Sequence, residues 1–406
     1  MKELNEVVIV DFLRTPMSRS STHTPEKDIF LNYRADELLG MVIKKLIERV
    51  GINPSLIDDM ITGCAFPVGE NWLYGGRNPL FLSELPYTIP AMAIDRQCAS
   101  SMSSVHIGTM EIMTGNADII LACGMEHMTR VPMDFTKNTA VVLNEDLIDY
   151  KNHPEYKKYD LKTGFSMIQT AQKLHEISGI TREEMDEWAL RSHNKAIAAL
   201  DGGFFNDEIL PIEVKQNEKQ IKLVEYDQSI RRNSKLEIMK KLRPVSKGIT
   251  QDPQITAGNS SPLNAGAGAA ILMSKKKAIE LGLSPLAKIV SMSWAAVDPS
   301  IMGTGPVPAS QKALKRANLR VDDIDYWEIN EAFAVVALNT IKELTINPEK
   351  VNVKGGAIAL GHALGLTGVR LVSTLARILQ KEGGTYGLAT PCVGGGQGTA
   401  TILERL

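Results

Sequence analysis

The sequence predicts an α/β protein made of two similar halves, with a longer segment inserted into the first half. Three observations predict this class. Short apolar or β-branched runs alternate with helix-like stretches, the alternation occurs once near each end of the chain, and residues 126–250 interrupt it with charged and loop-forming sequence. Alternating strands and helices are typical of sheets that are covered by helices.

The elements of the first half follow from local hydrophobic patterns. Residues 7–10 form a β-branched run typical of a buried strand, and residues 35–50 carry apolar side chains at helical spacing. The same reasoning predicts strands at residues 57–64, 91–94 and 118–123 and a helix at residues 98–113.

The second half repeats this order. Residues 57–59 and 324–326 occupy equivalent places, each after a helix and a short polar turn. A repeated pattern of this kind predicts a duplication with parallel-type sheets, and chance repetition of a strand-helix-strand pattern is the alternative. We expect strands at residues 287–290, 324–330, 351–353, 386–390 and 399–403 and helices at residues 308–317 and 364–379.

The domain division follows from the interruption. We assign residues 1–125 plus 251–275 to an N-terminal half, in which residues 267–273 form the last strand. Residues 126–250 are an inserted loop domain, and residues 276–406 are the C-terminal half. Such an inserted domain is a natural place for loops that grip a substrate.

The composition excludes several classes of protein. Of the 406 residues 44% are hydrophobic, and the formal net charge of -2 does not suit a general nucleic-acid binder. The four cysteines contain no Cys-x-x-Cys pair, so we expect neither a zinc ribbon nor a disulfide scaffold. The apolar runs are too short for a transmembrane helix, and the first residues do not resemble a signal peptide. We therefore expect a cytoplasmic protein.

Cys98 is the first candidate for chemistry. It lies between a predicted strand and a predicted helix. A thiol at a helix N-terminus is expected to have a lowered pKa, because the helix dipole favours the thiolate, which is the nucleophilic form. The alternative is a small buried core residue, since cysteine is often found in cores.

Three further segments offer partners for this thiol. GGAIALGHALGLTG at residues 355–368 places His362 in a turn before a helix, where an imidazole can act as a base. CVGGGQG places Cys392 at a strand end, in a turn whose backbone N–H groups could form an oxyanion hole. Asn330, in NEAFA, could orient a water or donate to an oxyanion. The structural alternatives are a backbone cap, an ordinary tight turn and a helix cap, respectively.

Together these segments resemble the thiolase family. The nucleophile segment, TAGNSS, MGTGP, NEAFA, GGAIALGH and CVGGGQG stand in the family's order and spacing over almost the whole chain. The resemblance implies the thiolase fold, with duplicated five-layered α-β-α-β-α halves and an inserted loop domain. It also implies an acyltransferase that needs no metal or other cofactor, because CoA is a substrate.

The resemblance implies a role for each catalytic residue. Cys98 is the nucleophile that becomes acylated, His362 activates it, and Cys392 takes and returns protons. Asn330 holds a water in one oxyanion hole, with His362 nearby. The backbone N–H groups of Cys98 and Gly394 form the other oxyanion hole.

The resemblance also implies a binding site for CoA. Ser261 corresponds to a serine near the pantetheine arm, and Arg231 to an arginine beside the adenine nucleotide. Residues 231–247 contain seven Lys or Arg and one Glu, which indicates a basic rim for the phosphates or, alternatively, a solvated helical face. The residues that match the lining of the pantetheine and acyl tunnel are Met167, Ala257, Phe333 and Met302.

Departures from the family pattern favour its degradative, fatty-acid β-oxidation branch. Acetoacetyl-CoA thiolases usually carry His-Met-Gly where this chain has Ser166-Met167-Ile168, and Ala363 replaces the usual proline after the histidine. Ser166 is smaller than the usual histidine, and what remains around Met167 is apolar. This predicts a preference for C8 or C10 3-ketoacyl-CoA over acetoacetyl-CoA, although the bulk of Ile168 could oppose that preference.

We therefore expect a 3-ketoacyl-CoA thiolase that acts on CoA and acyl-CoA thioesters. The main alternative is a biosynthetic acetoacetyl-CoA thiolase that runs the condensation. A ketoacyl synthase would need paired histidines or a His/Asn pair, and a non-catalytic acyl-CoA carrier would not need Cys98, His362 and Cys392. We expect a homodimer or homotetramer, with a possible complex with the β-oxidation hydratase/dehydrogenase subunit, and no nucleic-acid partner.

Overall fold

The structure is a computed structural model that describes residues 4–133, 139–217, 220–248 and 250–406. Its strands are β1 (Val7–Arg14), β2 (Asp59–Gly63), β3 (Ala91–Ile94), β4 (Ile119–His127), β5 (Ile212–Asn217), β6 (Gln220–Val224), β7 (Ala265–Ser274), β8 (Ala287–Ala296), β9 (Tyr326–Ile329), β10 (Tyr386–Thr390), β11 (Cys392–Val393) and β12 (Gln397–Arg405). Its α-helices are α1 (Ala35–Val50), α2 (Arg77–Leu82), α3 (Ser100–Thr114), α4 (Leu161–Gly164), α5 (Met167–Ser178), α6 (Arg182–Asp201), α7 (Leu236–Met239), α8 (Lys275–Glu280), α9 (Pro306–Ala317), α10 (Ala334–Leu344), α11 (Ala357–Leu360) and α12 (Leu364–Glu382).

The sheet order shows the duplication. The strands run β3-β2-β4-β7-β1-β8-β12-β10-β9, and β1 pairs with β8 at the centre. Read outward from that centre, β1, β7, β4 and β2 match β8, β12, β10 and β9. The predicted duplicated α/β fold is therefore confirmed.

The expectation of parallel-type sheets was only partly right. β2 pairs in parallel with β3 and β4, and β9 with β10. However, β7 and β12 run antiparallel to their neighbours. For β12 the cause is a tight reversal, in which Gly395 and Gly396 both have positive φ and let the chain fold straight back from β11.

The helices complete five layers. α3 and α12 lie against each other between the two halves of the sheet, and α12 contacts β4 and β7 on one side and β10 and β12 on the other. Gly368 permits this approach, because a Cβ there would lie 2.6 Å from the Cβ of Met102. α1 covers the outer face of the first half, and α9 covers that of the second.

Local patterns predicted α1 and β3 with the bounds that are observed. All six apolar positions predicted for α1 are buried, and Gly51 ends the helix in the left-handed conformation at φ 72. The main error is residues 351–353, where Val351 makes only an isolated bridge to Trp327. The side chain of Asn352 bonds to both the N–H and the C=O of Ile329, at 2.8 and 2.9 Å, and so replaces a further stretch of backbone pairing.

The segment between β4 and β7 forms α4 to α7 and the β5–β6 hairpin, outside the main sheet. A buried ion cluster joins this segment to β1, since Arg14 lies 2.6 Å from Glu208 and 2.7 Å from Asp227. These charges are fully buried and paired, so loss of one partner would leave a costly unpaired charge. In the part of the chain that the structure describes, none of the helices combines the length and apolar character needed to cross a membrane.

Candidate active site

Cys98 lies where β3 leads into α3. Residues Gln97–Ala99 form one 3-10 turn that runs into the helix, and Gln97 has a φ of 45. The carboxylate of Asp95 accepts the N–H of Gln97 at 2.6 Å, which holds this tight turn. The turn brings the thiol under the neighbouring loops, so Cys98 is only 7% exposed.

The surroundings of Cys98 are apolar except at one side. Ala65, Met128 and Leu364 form a buried cluster with it. On the polar side, the backbone N–H groups of Gly394 and of Cys98 itself hydrogen-bond to the sulfur. The structure therefore brings together the two N–H groups that the resemblance implies for one oxyanion hole.

The prediction of a lowered pKa for Cys98 was wrong. Burial raises the pKa of the thiol to about 12, and the negative charges of Glu126 and Asp95 act in the same direction. The hydrogen bonds from Gly394 and Cys98 lower the pKa but do not offset burial. The resting side chain is therefore a neutral thiol, which needs a base before it can attack.

His362 lies in the turn between α11 and α12. Its backbone N–H donates to Oδ1 of Asn264 at 2.7 Å. Its Nδ1 is 2.6 Å from Oγ1 of Thr367, and its Nε2 is 3.3 Å from Nδ2 of Asn330. Burial lowers the pKa of His362 to about 3, with a further contribution from the positive charge of Arg370. The imidazole is therefore neutral at pH 7 and can accept a proton.

Asn330 follows directly after β9, and its N–H donates to the carbonyl of Thr390 at 3.0 Å, at the end of β10. This pairing aligns Asn330 with the chain that continues to Cys392. Its Oδ1 is buried and has no hydrogen-bond partner within the described ranges. A buried acceptor of this kind is expected to bind a water or a substrate atom.

Cys392 is fully buried at the start of β11, next to the turn that carries Gly394. Burial raises its pKa, and the nearby Cys98 thiol raises it further. The two cysteines are thus close enough to influence each other. Leu364, two residues after His362, packs in the same cluster as Cys98, which places the turn of His362 beside the loop of Cys98.

The predicted binding residues occupy two regions. Phe333 and Met302 are buried in one apolar cluster, and half-buried Met167 packs against it. The N–H of Ser261 donates to the carbonyl of Ala332 at 3.0 Å, beside Phe333. Ala257 is exposed in the same loop as Ser261.

Arg231 lies at the surface. Partial burial and the nearby positive charge of Arg19 lower its pKa, and it forms no ion pair with the residues that the structure describes. Two adjacent cations without a carboxylate favour an anion. Within the basic stretch at residues 231–247, Arg232 is less suited to a phosphate, because its guanidinium is paired with both oxygens of Asp201, at 2.9 and 2.6 Å.

Several residues of the site were missed. The carboxylate of Glu126 accepts hydrogen bonds from the N–H groups of Ala65 and Gly365 at 2.8 and 3.0 Å. It therefore connects the two chain segments that pack around Cys98. Burial raises its pKa to about 7. Asn264 and Thr367, which hold His362, were also missed. Thr367 is only five residues from the histidine and lies on the following helix, so its sequence position could have indicated this contact. Asn264 is 98 residues away from the histidine, and no local pattern indicates its contact.

Comparisons with known proteins give matches over almost the whole chain. A model of the thiolase N-terminal domain matches residues 7–276, and one of the thiolase C-terminal domain matches residues 283–405. The chain is 43% identical over 408 residues to a 3-ketoacyl-CoA thiolase from Marinobacter nauticus, covering 99% of this chain and 98% of that one. It is 43% identical over 410 residues to one from Vibrio parahaemolyticus, covering 99% of both.

Solved structures agree as well. The crystal structure of human mitochondrial 3-ketoacyl-CoA thiolase superposes with a TM-score of 0.85 at 33% identity, covering 100% of both chains. The crystal structure of the Bacillus anthracis acetyl-CoA acetyltransferase gives the same TM-score, identity and coverage. The backbone alone therefore does not separate a 3-ketoacyl-CoA thiolase from an acetyl-CoA acetyltransferase.

Proposed function

We propose that this chain, which belongs to the thiolase family, cleaves 3-ketoacyl-CoA with CoA to give acetyl-CoA and a shortened acyl-CoA. The observation that carries the proposal is the position of the Cys98 thiol. Its sulfur accepts hydrogen bonds from the backbone N–H groups of Cys98 and Gly394, and it lies near Cys392. The full-length relatives named 3-ketoacyl-CoA thiolase support the substrate class.

In the first half-reaction Nε2 of His362 takes the thiol proton of Cys98, and the sulfur attacks the keto carbon of the substrate. The bond between the α and β carbons then breaks, and its electron pair leaves as the enolate of acetyl-CoA. Cys392 donates a proton to the enolate carbon, which releases acetyl-CoA and leaves an acyl group on Cys98. N–H donors aimed at the developing oxyanions lower both barriers.

In the second half-reaction the Cys392 thiolate takes the proton of the incoming CoA thiol. The CoA sulfur attacks the acyl carbon, and the sulfur of Cys98 leaves and regains its proton from His362. The electrostatics of the site suit this cycle. The raised pKa of Cys98 and the lowered pKa of His362 keep both groups neutral between turnovers. Proton transfer is therefore coupled to attack rather than completed beforehand.

We propose that CoA binds along the six residues that correspond to the family's CoA and acyl site. Arg231, with Arg19 beside it, would meet the phosphates of the nucleotide end. Ser261 and Ala257 would lie along the pantetheine arm. Met167, Met302 and Phe333 offer apolar surface to the acyl portion, and their shared cluster supports that part of the assignment. The three-part domain division stated above is proposed with it.

A homodimer is proposed from the edge of the sheet. β3 is the terminal strand on one side, and its residues are all half-buried. The chain that precedes β3 carries exposed aromatic side chains, among them Trp72 and Tyr87, which are 58% and 79% exposed. An unpaired edge next to exposed aromatics is suited to a second copy of the chain. A homotetramer, a complex with a hydratase/dehydrogenase subunit and a cytoplasmic location are proposed from the resemblance.

The experiment is a substrate panel in the cleavage direction, from acetoacetyl-CoA to C16 3-ketoacyl-CoA, with products separated by chromatography. We expect 3-ketodecanoyl-CoA plus CoA to give octanoyl-CoA and acetyl-CoA in equal amounts. Each buried methylene contributes about 0.8 kcal/mol, so two suffice for about tenfold in kcat/KM over acetoacetyl-CoA. A profile that falls steadily from C4 upward would contradict the degradative assignment and favour a biosynthetic acetoacetyl-CoA thiolase.

A further inference from the structure

The hydrogen bonds around His362 define which ring nitrogen carries the proton. Thr367 is on the first turn of α12, and its Oγ1 donates to the carbonyl of Ala363 at 2.9 Å. The hydroxyl has one proton, so toward Nδ1 of His362, 2.6 Å away, it presents a lone pair. Nδ1 must then carry the hydrogen.

The opposite side of the ring gives the same answer. Nδ2 of Asn330 is 3.3 Å from Nε2 of His362. An amide nitrogen only donates, so Nε2 must accept and carries the lone pair. Two contacts on opposite sides of the ring therefore agree on one tautomer of the neutral imidazole.

We propose that Thr367 is a positioning residue that fixes the Nδ1–H tautomer of His362 and so leaves Nε2 without a hydrogen. Nε2 accepts from Asn330 in the resting site, and it takes the proton of Cys98 once that amide turns to substrate or water. This proposal rests on the proposed function of His362 as the base. The tautomer of a histidine is set by the bond that its other nitrogen makes.

The chemistry of the partner also matters. Thr367 is neutral, and no carboxylate hydrogen-bonds to this ring within the described residues. A carboxylate would stabilise the imidazolium, whereas a hydroxyl orients the ring without holding the positive charge. The low pKa of His362 is consistent with this. His362 therefore holds the proton weakly during the reaction, and the proton is available for return to the sulfur of Cys98.

The experiment compares Thr367→Val, which removes the hydroxyl at similar volume, with Thr367→Ser, which keeps it. Thr340→Val is the matched control, because Thr340 is also a buried helical threonine whose hydroxyl donates to the carbonyl four residues earlier, Val336, at 2.8 Å. We expect Thr367→Val to lower kcat at least roughly tenfold, with KM changed less than about threefold. Alkylation of Cys98 by iodoacetamide should slow in parallel. Thr367→Ser and Thr340→Val should both stay within about threefold of wild type.

Two results would overturn the proposal. One is a Thr367→Val enzyme with wild-type kcat, or a Thr367→Ser enzyme as slow as Thr367→Val. The other is a ¹⁵N NMR spectrum of the wild-type protein that shows the hydrogen of His362 on Nε2, which decides the matter even if a variant fails to fold. His362→Ala separates this proposal from the proposed function. If His362→Ala slows alkylation of Cys98 and Thr367→Val does not, only the role of Thr367 fails. If neither does, the assignment of His362 as base fails.

Discussion

Replacing Gly368 with alanine should separate the two helices that carry the nucleophile and the base. Cys98 lies at the start of α3 and His362 just before α12, and these helices touch where Gly368 faces Met102. A Cβ at residue 368 would lie 2.6 Å from the Cβ of Met102, whereas carbon atoms pack at about 3.5–4.0 Å. The helices must therefore move apart locally by about 1 Å.

The magnitude follows from that displacement. Inserting a methyl group into a packed core costs about 1–3 kcal/mol in the free energy of unfolding. A shift of about 1 Å between reacting groups can lower the rate about 100-fold. We therefore expect Gly368→Ala to lose about 1–3 kcal/mol in urea unfolding and about 100-fold in kcat, measured as cleavage of 3-ketodecanoyl-CoA.

Gly202→Ala is the control for this substitution. Gly202 has a φ of -79, and a Cβ there would lie 3.1 Å from the carbonyl oxygen of Ala198, its nearest neighbour. We expect a change within about 0.5 kcal/mol and normal kcat. A Gly368→Ala enzyme with wild-type stability and kcat would refute the argument that close packing of α3 and α12 sets the geometry of the site.

Three further outcomes are expected. Cys392→Ala should still accept an acyl group on Cys98 but release acyl-CoA slowly in a steady-state assay, and normal turnover would reduce Cys392 to a turn residue. Arg231→Ala should raise KM for CoA about tenfold or more with little change in kcat, because a charge-assisted hydrogen bond contributes about 1.5–3 kcal/mol. Arg232→Ala should change KM little, because the guanidinium of Arg232 is paired with Asp201. Equal effects of the two substitutions would contradict the anion site at Arg231. Burial lowers the pKa of His362 to about 3, so this histidine stays neutral as the pH falls from 8 to 5.5. The pH profile of kcat should therefore show no loss of activity near pH 6.5 from protonation of His362. An inflection near pH 6.5 that disappears in His362→Ala would contradict the buried, neutral state of this residue.

Much of the fold could be predicted because its signals are local. The six apolar positions of α1 have helical spacing, and Gly51 marks its end. The strand order and the pairing direction of β7 and β12 could not be obtained this way, since both depend on contacts between distant segments. The failure at residues 351–353 has the same origin, because a side-chain amide of Asn352 takes the place of backbone pairing with Ile329.

The candidate site shows the same division. Motifs indicated Cys98, His362, Asn330, Cys392 and Gly394 as candidates. The structure places Gly394 and Cys392 beside Cys98, and Asn330 beside His362. The direction of the pKa shift of Cys98 was wrong because burial is a property of the tertiary structure, and it outweighs the helix dipole.

The second layer of contacts was also outside the reach of local patterns. Asn264 bonds to the N–H of His362 across 98 residues, and Glu126 bonds to Gly365 across 239. Neither contact has a sequence pattern that would reveal it, because each depends on how the two halves pack around α12.

The central claim is that Cys98 carries the acyl group during turnover. The most direct measurement is mass spectrometry of peptides from protein exposed to acetyl-CoA and then quenched. We predict one acetyl group on the peptide that contains Cys98, none on this peptide from Cys98→Ala, and a loss of at least roughly 10³-fold in cleavage rate for that variant. Acetylation of Cys64 instead, or a Cys98→Ala enzyme that still forms an acyl-enzyme, would contradict the account.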